Sequence, residues 1–176
     1  GVQKGTNVTL WSKSTTDTDQ QWRLDSNNKL YPKLSSTVCL DRYIANDSYY
    51  NNADLWTHDD DNQQILMFSE TSKGFKIMLR NATVNGATLY LTAPSIPTGG
   101  NDPSKVPGAN GNVYWSTSIS DEDRQLWTFN LIGSPDPGPS GRLTLAQLQA
   151  KFPHGKYWNH VEMDENNPDG YTNKPC

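Results

Sequence analysis

Covalent chemistry in this chain would depend on its two cysteines and three histidines. A catalytic thiolate needs a neighbouring base and a walled site that orients the substrate. Cys176 could pair with His154 or His160, but as the last residue it has no wall around it. Cys39 has no activating base beside it and is expected to be a small buried residue. No catalytic residue is therefore expected.

The acidic stretch DENNPDG, residues 164–170, is similar in composition to a calcium-binding loop. A calcium loop of this kind needs oxygen ligands at fixed spacing and a closing glutamate. The acidic residues around Gly170 lack that spacing, and no glutamate closes the stretch. A turn is expected instead, with no metal and no cofactor.

A non-covalent motif recurs three times, in DQQWRL (19–24), NQQILMF (62–68) and DRQLWTF (123–129). Each copy has a glutamine, a spacer and a large apolar residue, and the aligned pairs are Gln20 with Trp22, Gln64 with Leu66, and Gln125 with Trp127. A second motif, NVTLW, NADLW or GNVYW, precedes the glutamine by nine, eight and ten residues and ends at Trp11, Trp56 and Trp115. The chain is therefore built from three copies of one unit.

Short alternating runs surround these motifs and are separated by turns rich in Asn, Asp, Gly and Ser. Residues 28–43 correspond in this way to residues 75–93. The pattern predicts an all-β protein with about four short strands per unit. Units this short cannot bury themselves alone, so three of them are expected to share one core. Five inward residues are predicted for it: Trp22, Leu40, Leu66, Leu91 and Trp127.

The threefold Gln-x-Trp signature, with Leu-Trp before it and Cys-Leu-Asp (39–41) before that, resembles the ricin-type β-trefoil lectin family. This family is also classed among the carbohydrate-binding modules, and the resemblance covers residues 1–131. It implies a β-trefoil of twelve strands with up to three shallow sugar sites, one per repeat. Here the first repeat (1–24) is incomplete, the middle repeat spans 28–68 and the third spans 75–129.

A sugar site competes with water. An aromatic face covers the apolar side of the ring, while a fixed carboxylate or amide replaces water on the hydroxyls. In the family these groups come from the Cys-Leu-Asp aspartate, the Leu-Trp indole and polar residues at or before the Gln-x-Trp glutamine. The middle repeat has all of them, and its predicted binding residues are Asp41, Trp56, His58, Gln63 and Gln64, with Asp59 at the rim. The structural alternatives are a half-buried hairpin residue for Trp56, a turn or strand-end cap for Asp41 and a solvated loop residue for His58.

The third repeat departs from the pattern because Thr92 stands where Asp41 stands. Trp115 and Gln125 remain as weaker candidates for sugar binding, but the charge-assisted hydrogen bond is missing. A long insertion, residues 93–111, is rich in Pro and Gly and predicts a loop.

The first repeat keeps Trp11 and Gln20 as weaker candidates, but no strand pair and no aspartate precede Trp11. An open seam would expose strand edges and core side chains. Either the natural chain begins earlier or another segment fills the gap; the fragment explanation is preferred.

The stretch GSPDPGPSG (133–141) predicts a linker over residues 132–141 and a tail over 142–176. Thr144 and Gln147 suit a capping box, and Leu145, Leu148 and Phe152 share one face of a short helix. A tail of this length needs staples to fold alone, so it is either the start of a further module or an arm docked on the trefoil. Its KFPHGKYWNH and terminal PC loosely resemble the opening of cysteine-hydrolase modules in wall-associated proteins of Gram-positive bacteria.

The net charge of -4 and the lack of a Lys/Arg stripe argue against nucleic acid as a partner. No run approaches the roughly 20 apolar residues that cross a bilayer, so membrane insertion is not expected. The sequence predicts a non-catalytic lectin module that directs a secreted or cell-surface protein to glycans, galactose-like sugars first. The alternatives are a fragment of a secreted peptidase or amidase and a protein-binding trefoil.

Overall fold

The computed structural model describes residues 2–12, 16–44, 51–94, 112–118, 124–131, 144, 146, 158–163 and 171–175. For residues 11, 12, 130 and 131 and for the last two ranges, only the backbone is described. The predicted linker, the helix expected after Thr144, most of the insertion and the acidic stretch 164–170 lie outside the described residues.

Strands dominate the described residues, and the predicted all-β class is confirmed. The strands are β1 (Thr6–Ser12), β2 (Trp22–Leu24), β3 (Leu30–Pro32), β4 (Val38–Arg42), β5 (Ala53–Thr57), β6 (Leu66–Thr71), β7 (Gly74–Val84), β8 (Ala87–Thr92), β9 (Tyr114–Ser116), β10 (Trp127–Leu131), β11 (Trp158–Met163) and β12 (Tyr171–Pro175). One 3-10 turn spans Thr18–Gln20. Within this part of the chain, no helix combines the length and the apolarity needed to cross a membrane.

The antiparallel pairs form two sets of three. In one set, β2–β3, β6–β7 and β10–β11, the first strand begins at the large apolar residue of a Gln-x-aromatic motif. In the other set, β4–β5, β8–β9 and β12–β1, one strand carries the second motif of a repeat. The threefold repetition in the sequence is therefore repeated in the strand pairing.

The tail takes part in this pairing. β12 pairs with β1 from Val8↔Pro175 to Ser12↔Tyr171, and β11 pairs with both β10 and β2. Strands of the tail therefore lie between β1 and β10 in the sheet order. Of the two explanations for the gap before Trp11, the one in which another segment pairs with β1 is seen here.

Local chemistry explains the tight hairpins. Asn85 and Gly86, with φ of 51° and 79°, connect β7 to β8 in the two-residue pattern that suits the twist of the strands. Between β2 and β3, Asp25 Oδ1 accepts from the backbone N–H of Asn27 (2.9 Å) and of Lys29 (2.8 Å). These turns set the register that puts one face of each hairpin into the core.

The core is a single cluster of buried side chains. All five residues predicted for it are buried within it: Trp22, Leu40, Leu66, Leu91 and Trp127. Phe129 packs edge-on against Phe68 and Phe75, with ring centroids 6.0 and 5.8 Å apart. The three repeats thus share one hydrophobic interior, which none of them could build alone.

Three asparagine-led segments meet on one side of this core. β1 bridges β5 through Thr6↔Leu55 and Asn7↔Asp54. Two isolated bridges connect the third segment to these two. Asn52, just before β5, pairs with Tyr114 at the start of β9, and Thr9 of β1 pairs with Asn112, two residues before β9. The convergence aligns the three segments by their asparagines, Asn7, Asn52 and Asn112, rather than by their tryptophans.

Candidate functional site

The β4–β5 hairpin places two acidic residues and an indole on one face. Asp41 lies directly opposite Asp54 in the register, and Trp56 follows Asp54 by two residues. Since side chains alternate along a strand, all three share a face, while Leu40 and Leu55 point the other way into the core. The apolar positions of the hairpin thus fix the side to which the polar ones are presented.

That face opens into a cavity of about 290 Å³, called here the primary cavity. It is lined by Asp41, Arg42, Tyr43, Ile44, Asp54, Trp56, Asp59, Asp61 and Gln63. Of the predicted binding residues, Asp41, Trp56 and Gln63 line it, and Asp59 stands at its edge as expected. The carboxylate and the indole of the middle repeat therefore belong to one concave site.

Gln64 supports the site without lining it. Its side chain is fully buried, and its Nε2 donates to Asp41 Oδ2 (2.7 Å) and to the carbonyl of Thr57 (2.9 Å). Its Oε1 accepts from the backbone N–H of Asp59 (3.0 Å) and from the Cys39 thiol (3.2 Å). Gln64 is thus a positioning residue, which fixes the Asp41 carboxylate and ties the 58–64 loop to the hairpin.

The 58–64 loop is held by its own carboxylates. Asp59 Oδ1 accepts from the N–H of Asp61 (2.8 Å), and Asp61 Oδ1 accepts from the N–H of Gln63 (3.1 Å). Arg42 on β4 donates through Nη1 to Gln63 Oε1 (3.1 Å). With Oε1 occupied, the Nε2 amide of Gln63 is the end left to donate to a ligand.

Burial perturbs the two carboxyls that face each other across the hairpin. Asp41 is 8% exposed, and burial raises its pKa to about 6 even though the Gln64 hydrogen bond works against this rise. Burial, reinforced by the charge on Asp41, raises the pKa of Asp54 to about 7. Both groups are ionised in mildly basic solution and gain protons as the solution becomes mildly acidic.

Trp56 is half-buried and contacts a cation. The Lys4 ammonium lies 3.9 Å from the centroid of the indole. One face of the ring is therefore in a cation–π contact. A ligand that stacks on Trp56 uses the opposite face or displaces Lys4.

His58 does not line the primary cavity. It is exposed, and its ring lies 6.0 Å from that of Tyr31. The prediction that places it in the site is not supported by this geometry. His58 follows Trp56 by two residues, but β5 has ended at Thr57, so strand alternation no longer sets the side on which His58 lies.

Five lining residues were not predicted: Arg42, Tyr43, Ile44, Asp54 and Asp61. Asp54 carries a readable signal, because it precedes Trp56 by two residues in a strand-like stretch and must share its face. Arg42 is the last residue of β4, and Tyr43 and Ile44 follow it, so their placement depends on how the chain leaves this strand. Asp61 depends on how the 58–64 loop folds back, and local periodicity specifies neither feature.

The third repeat repeats the supporting contact but lacks the carboxylate. Gln125 is buried, and its Nε2 donates to Thr92 Oγ1 (3.1 Å) and to the carbonyl of Ser118 (2.9 Å), as Gln64 does to Asp41 and Thr57. Thr92 is therefore the counterpart of Asp41, as the alignment predicts. A hydroxyl now stands in place of the charge.

The position of Trp115 shows that aligning the second motif by its tryptophans is wrong for the third repeat. Leu91 lies opposite Trp115 as Leu40 lies opposite Leu55, so Trp115 is the counterpart of Leu55. It is 1% exposed, and its Nε1 donates to the carbonyl of Asp41 (3.1 Å). Its indole cannot stack on a sugar, and the position matching Trp56 is held by Ser116.

In the first repeat, Trp11 lies in β1 opposite Thr172, and Gln20 is buried at the end of the 3-10 turn. The register places Lys174 opposite Thr9, as Asp41 lies opposite Asp54. The tail thus brings a basic residue, not an acidic one, to the position equivalent to Asp41.

Cys39 is completely buried and free of any disulfide. Burial raises the pKa of its thiol to about 12, so the group stays protonated at neutral pH. Across the described ranges, no three His, Cys, Asp or Glu side chains group in a way that could hold a metal ion. Cys176, His154 and the acidic stretch 164–170 lie outside those ranges, and of His160 only the backbone is described.

Comparison of the chain with protein-family models, curated proteins and solved structures gave no match. The resemblance to the ricin-type family therefore rests on the motif residues of the sequence.

Proposed function

We propose that the chain is a non-catalytic carbohydrate-binding module of the ricin-type β-trefoil kind, with the primary cavity as its sugar site. Asp41 accepts hydrogen bonds from ring hydroxyls, Gln63 donates to them, and Trp56 covers the apolar face of the ring. The observation that carries the proposal is that Asp41, Trp56 and Gln63, assigned to binding from the motifs alone, line one open cavity. As such a module, it would direct a secreted or cell-surface protein to glycans.

The strand pairing supports the trefoil part of the proposal. Two sets of three antiparallel strand pairs, one shared core and three converging asparagine-led segments fit a threefold trefoil. The tail hairpin supplies the strand pair that the first repeat lacks.

The charge of the primary cavity favours neutral sugars. Four aspartates, Asp41, Asp54, Asp59 and Asp61, line it together with one guanidinium. Because like charges repel, sugars that carry carboxylates are disfavoured. Galactose-like neutral sugars are the expected ligands, with dissociation constants of roughly millimolar size, about -4 kcal/mol, for one ring in a shallow site.

The test is binding to galactose resin and to a glycan array by the wild type, Asp41→Ala and Trp56→Ala. Both variants are expected to lose retention while keeping the wild-type circular dichroism spectrum. Thr92→Val is the matched control, because it changes the counterpart of Asp41 in a repeat that lacks the carboxylate, and its retention should stay unchanged.

Equal retention of all four proteins would refute the site. An array without any hit, together with recovery of one defined protein in a pull-down, would favour the protein-binding trefoil instead.

A further inference from the structure

A second cavity of about 260 Å³ adjoins the primary one. It is lined by Gly5, Asn7, Tyr43, Asn52, Asp54 and Trp56. Tyr43, Asp54 and Trp56 line both cavities, so the two spaces share a wall. Each is close to the lower end, about 300 Å³, of the range for small-molecule sites, which suits one ring per cavity.

The second cavity contains buried acceptors that lack partners. Asn52 is 1% exposed and Asp54 3%, and within the described part of the chain the Oδ1 atom of each has no hydrogen-bond partner. Leaving such a group unsatisfied is costly. The terminal torsion of an aspartate is soft, so a donor entering this space can engage the carboxyl of Asp54 without backbone movement.

The neighbouring amide has a fixed orientation. Asn52 Nδ2 donates to Asn7 Oδ1 (2.7 Å), so the Oδ1 of Asn52 is the atom without a partner. The backbone around it is also tied, because Asn52 forms an isolated bridge with Tyr114 and its carbonyl accepts from the N–H of Tyr43 (3.0 Å). The Asn52 acceptor is thus part of a fixed wall, whereas the Asp54 carboxyl can turn.

We infer that the second cavity is a subsite for a second sugar ring, and that the ligand is a disaccharide or the terminal disaccharide of a longer glycan. The first ring occupies the primary cavity, and the linkage crosses the shared wall at Asp54 and Trp56. Hydroxyls of the second ring donate to the Asp54 carboxyl, which can turn toward the cavity beside Asn52. This inference rests on the proposed function, because the first ring must bind for the second to be placed.

The test measures galactose and a set of neutral galactose-containing disaccharides, lactose and melibiose among them, by isothermal titration. At least one disaccharide is expected to bind about tenfold or more tightly than galactose, the gain worth about 1.4 kcal/mol. Asn7→Leu should reduce that affinity to the galactose level and leave galactose binding within about twofold, since Asn7 lines only the second cavity.

Gly5→Asn is a second variant that does not disturb the Asn7–Asn52 hydrogen bond. A Cβ at Gly5 would meet no atom within 4 Å, and the φ of 83° there is one that asparagine tolerates. Gly5→Asn should also reduce the affinity for the disaccharide to the galactose level, while the affinity for galactose is kept.

Equal affinity for galactose and every disaccharide, or an advantage that survives in both variants, would overturn this inference alone. Failure of the wild type to bind any of these sugars would overturn the proposed function together with it.

Discussion

Asp41 and Thr92 occupy equivalent positions in two repeats but differ in charge. Each accepts a hydrogen bond from the buried glutamine of its Gln-x-aromatic motif, at 2.7 Å and 3.1 Å respectively. The scaffold contact is the same, but only Asp41 brings a carboxylate to the surface cavity. A charged acceptor forms hydrogen bonds roughly twice as strong as a neutral one, so the middle repeat is the one expected to bind.

The pH dependence of binding follows from the raised pKa of Asp41. The groups that face it are Asp54 on β5, Asp59 and Asp61 in the loop, and the Arg42 guanidinium that lines the same cavity. Since its folded-state pKa is about 6, the carboxylate is largely ionised at pH 8 and largely protonated at pH 5. Affinity is expected to fall with pH below that value, by up to about tenfold per unit if only the ionised form binds.

Titration calorimetry with the same sugar at several pH values measures this effect, with circular dichroism checking the fold at each. The Asp41→Asn variant should bind weakly and with a flatter profile. A wild-type affinity that is constant from pH 8 to pH 5 would contradict the role given to Asp41.

The two buried glutamines offer a matched pair of variants. Gln64→Leu removes the donor to Asp41 and the acceptor for the Asp59 N–H, while Gln125→Leu removes the donor to Thr92 and Ser118. Each leaves buried polar groups unsatisfied and should lower the free energy of unfolding by about 1–3 kcal/mol. Only Gln64→Leu should also weaken sugar binding.

Urea denaturation and sugar titration separate the two effects. If Gln125→Leu weakened binding as much as Gln64→Leu, general destabilisation rather than positioning of Asp41 would explain the loss.

Hairpins are the elements that position the candidate site. In β4–β5, the buried Leu40 and Leu55 anchor one face, and the opposite face presents Asp41, Asp54 and Trp56 to the cavity. A slip of one residue in this register would exchange the two faces, burying the carboxylates and exposing the leucines. Where the backbones of two strand pairs approach closely, a change of register would also cost free energy through steric clashes.

Gly74, the first residue of β7, is one such approach. A Cβ there would lie 2.7 Å from the carbonyl oxygen of Trp127, and the φ of 149° is one that other residues rarely adopt. Gly74→Ala should therefore lower the free energy of unfolding by about 1–3 kcal/mol.

Gly86→Ala is the control. Its φ of 79° also disfavours a side chain, but its Cβ would meet nothing within 4 Å. Its cost should stay near 1–2 kcal/mol from backbone strain alone, roughly. Chemical denaturation that ranks Gly86→Ala as the more damaging change would contradict the contact between β7 and β10.

In the whole molecule, the tail pairs with strands from both ends of the 1–131 region. β12 and β11 lie between β1 and β10 in the sheet order, so the first and last strands of residues 1–131 are connected through these two tail strands. Without them, β1 and β10 would present unpaired edges, a known route to aggregation. The shared core would also be open on that side.

A chain ending at Leu131 is therefore expected to lose cooperative unfolding and to self-associate. Thermal melting followed by circular dichroism, and size-exclusion chromatography, measure both properties. In the full chain, Asn173→Pro removes a ladder N–H opposite Leu10 and should be destabilising, whereas Asn173→Ala should have a smaller effect. A truncated chain that melts cooperatively as a monomer would show that the tail is dispensable.

Several features follow from the sequence by itself. Short alternating runs and turn residues predict an all-β chain, and the repeat spacing predicts the five core residues. The resemblance to the ricin-type family implies the joint placement of Asp41, Trp56 and Gln63. These are local or repeated signals, and each copy of the motif reinforces the others. The same spacing correctly equates Thr92 with Asp41, because both precede a Gln-x-aromatic glutamine that bonds to them.

The burial of Trp115 and the pairing of the tail were decided only by the tertiary structure. Trp115 is buried because the third copy of the second motif aligns with the other two copies at Asn112. An alignment at the tryptophans differs from this by one residue, and a shift of one residue moves a side chain to the other face of the strand. The pairing of β12 with β1 joins residues more than 150 positions apart. Such a contact depends on which strand edges remain open after the three repeats have packed, and no local pattern encodes that.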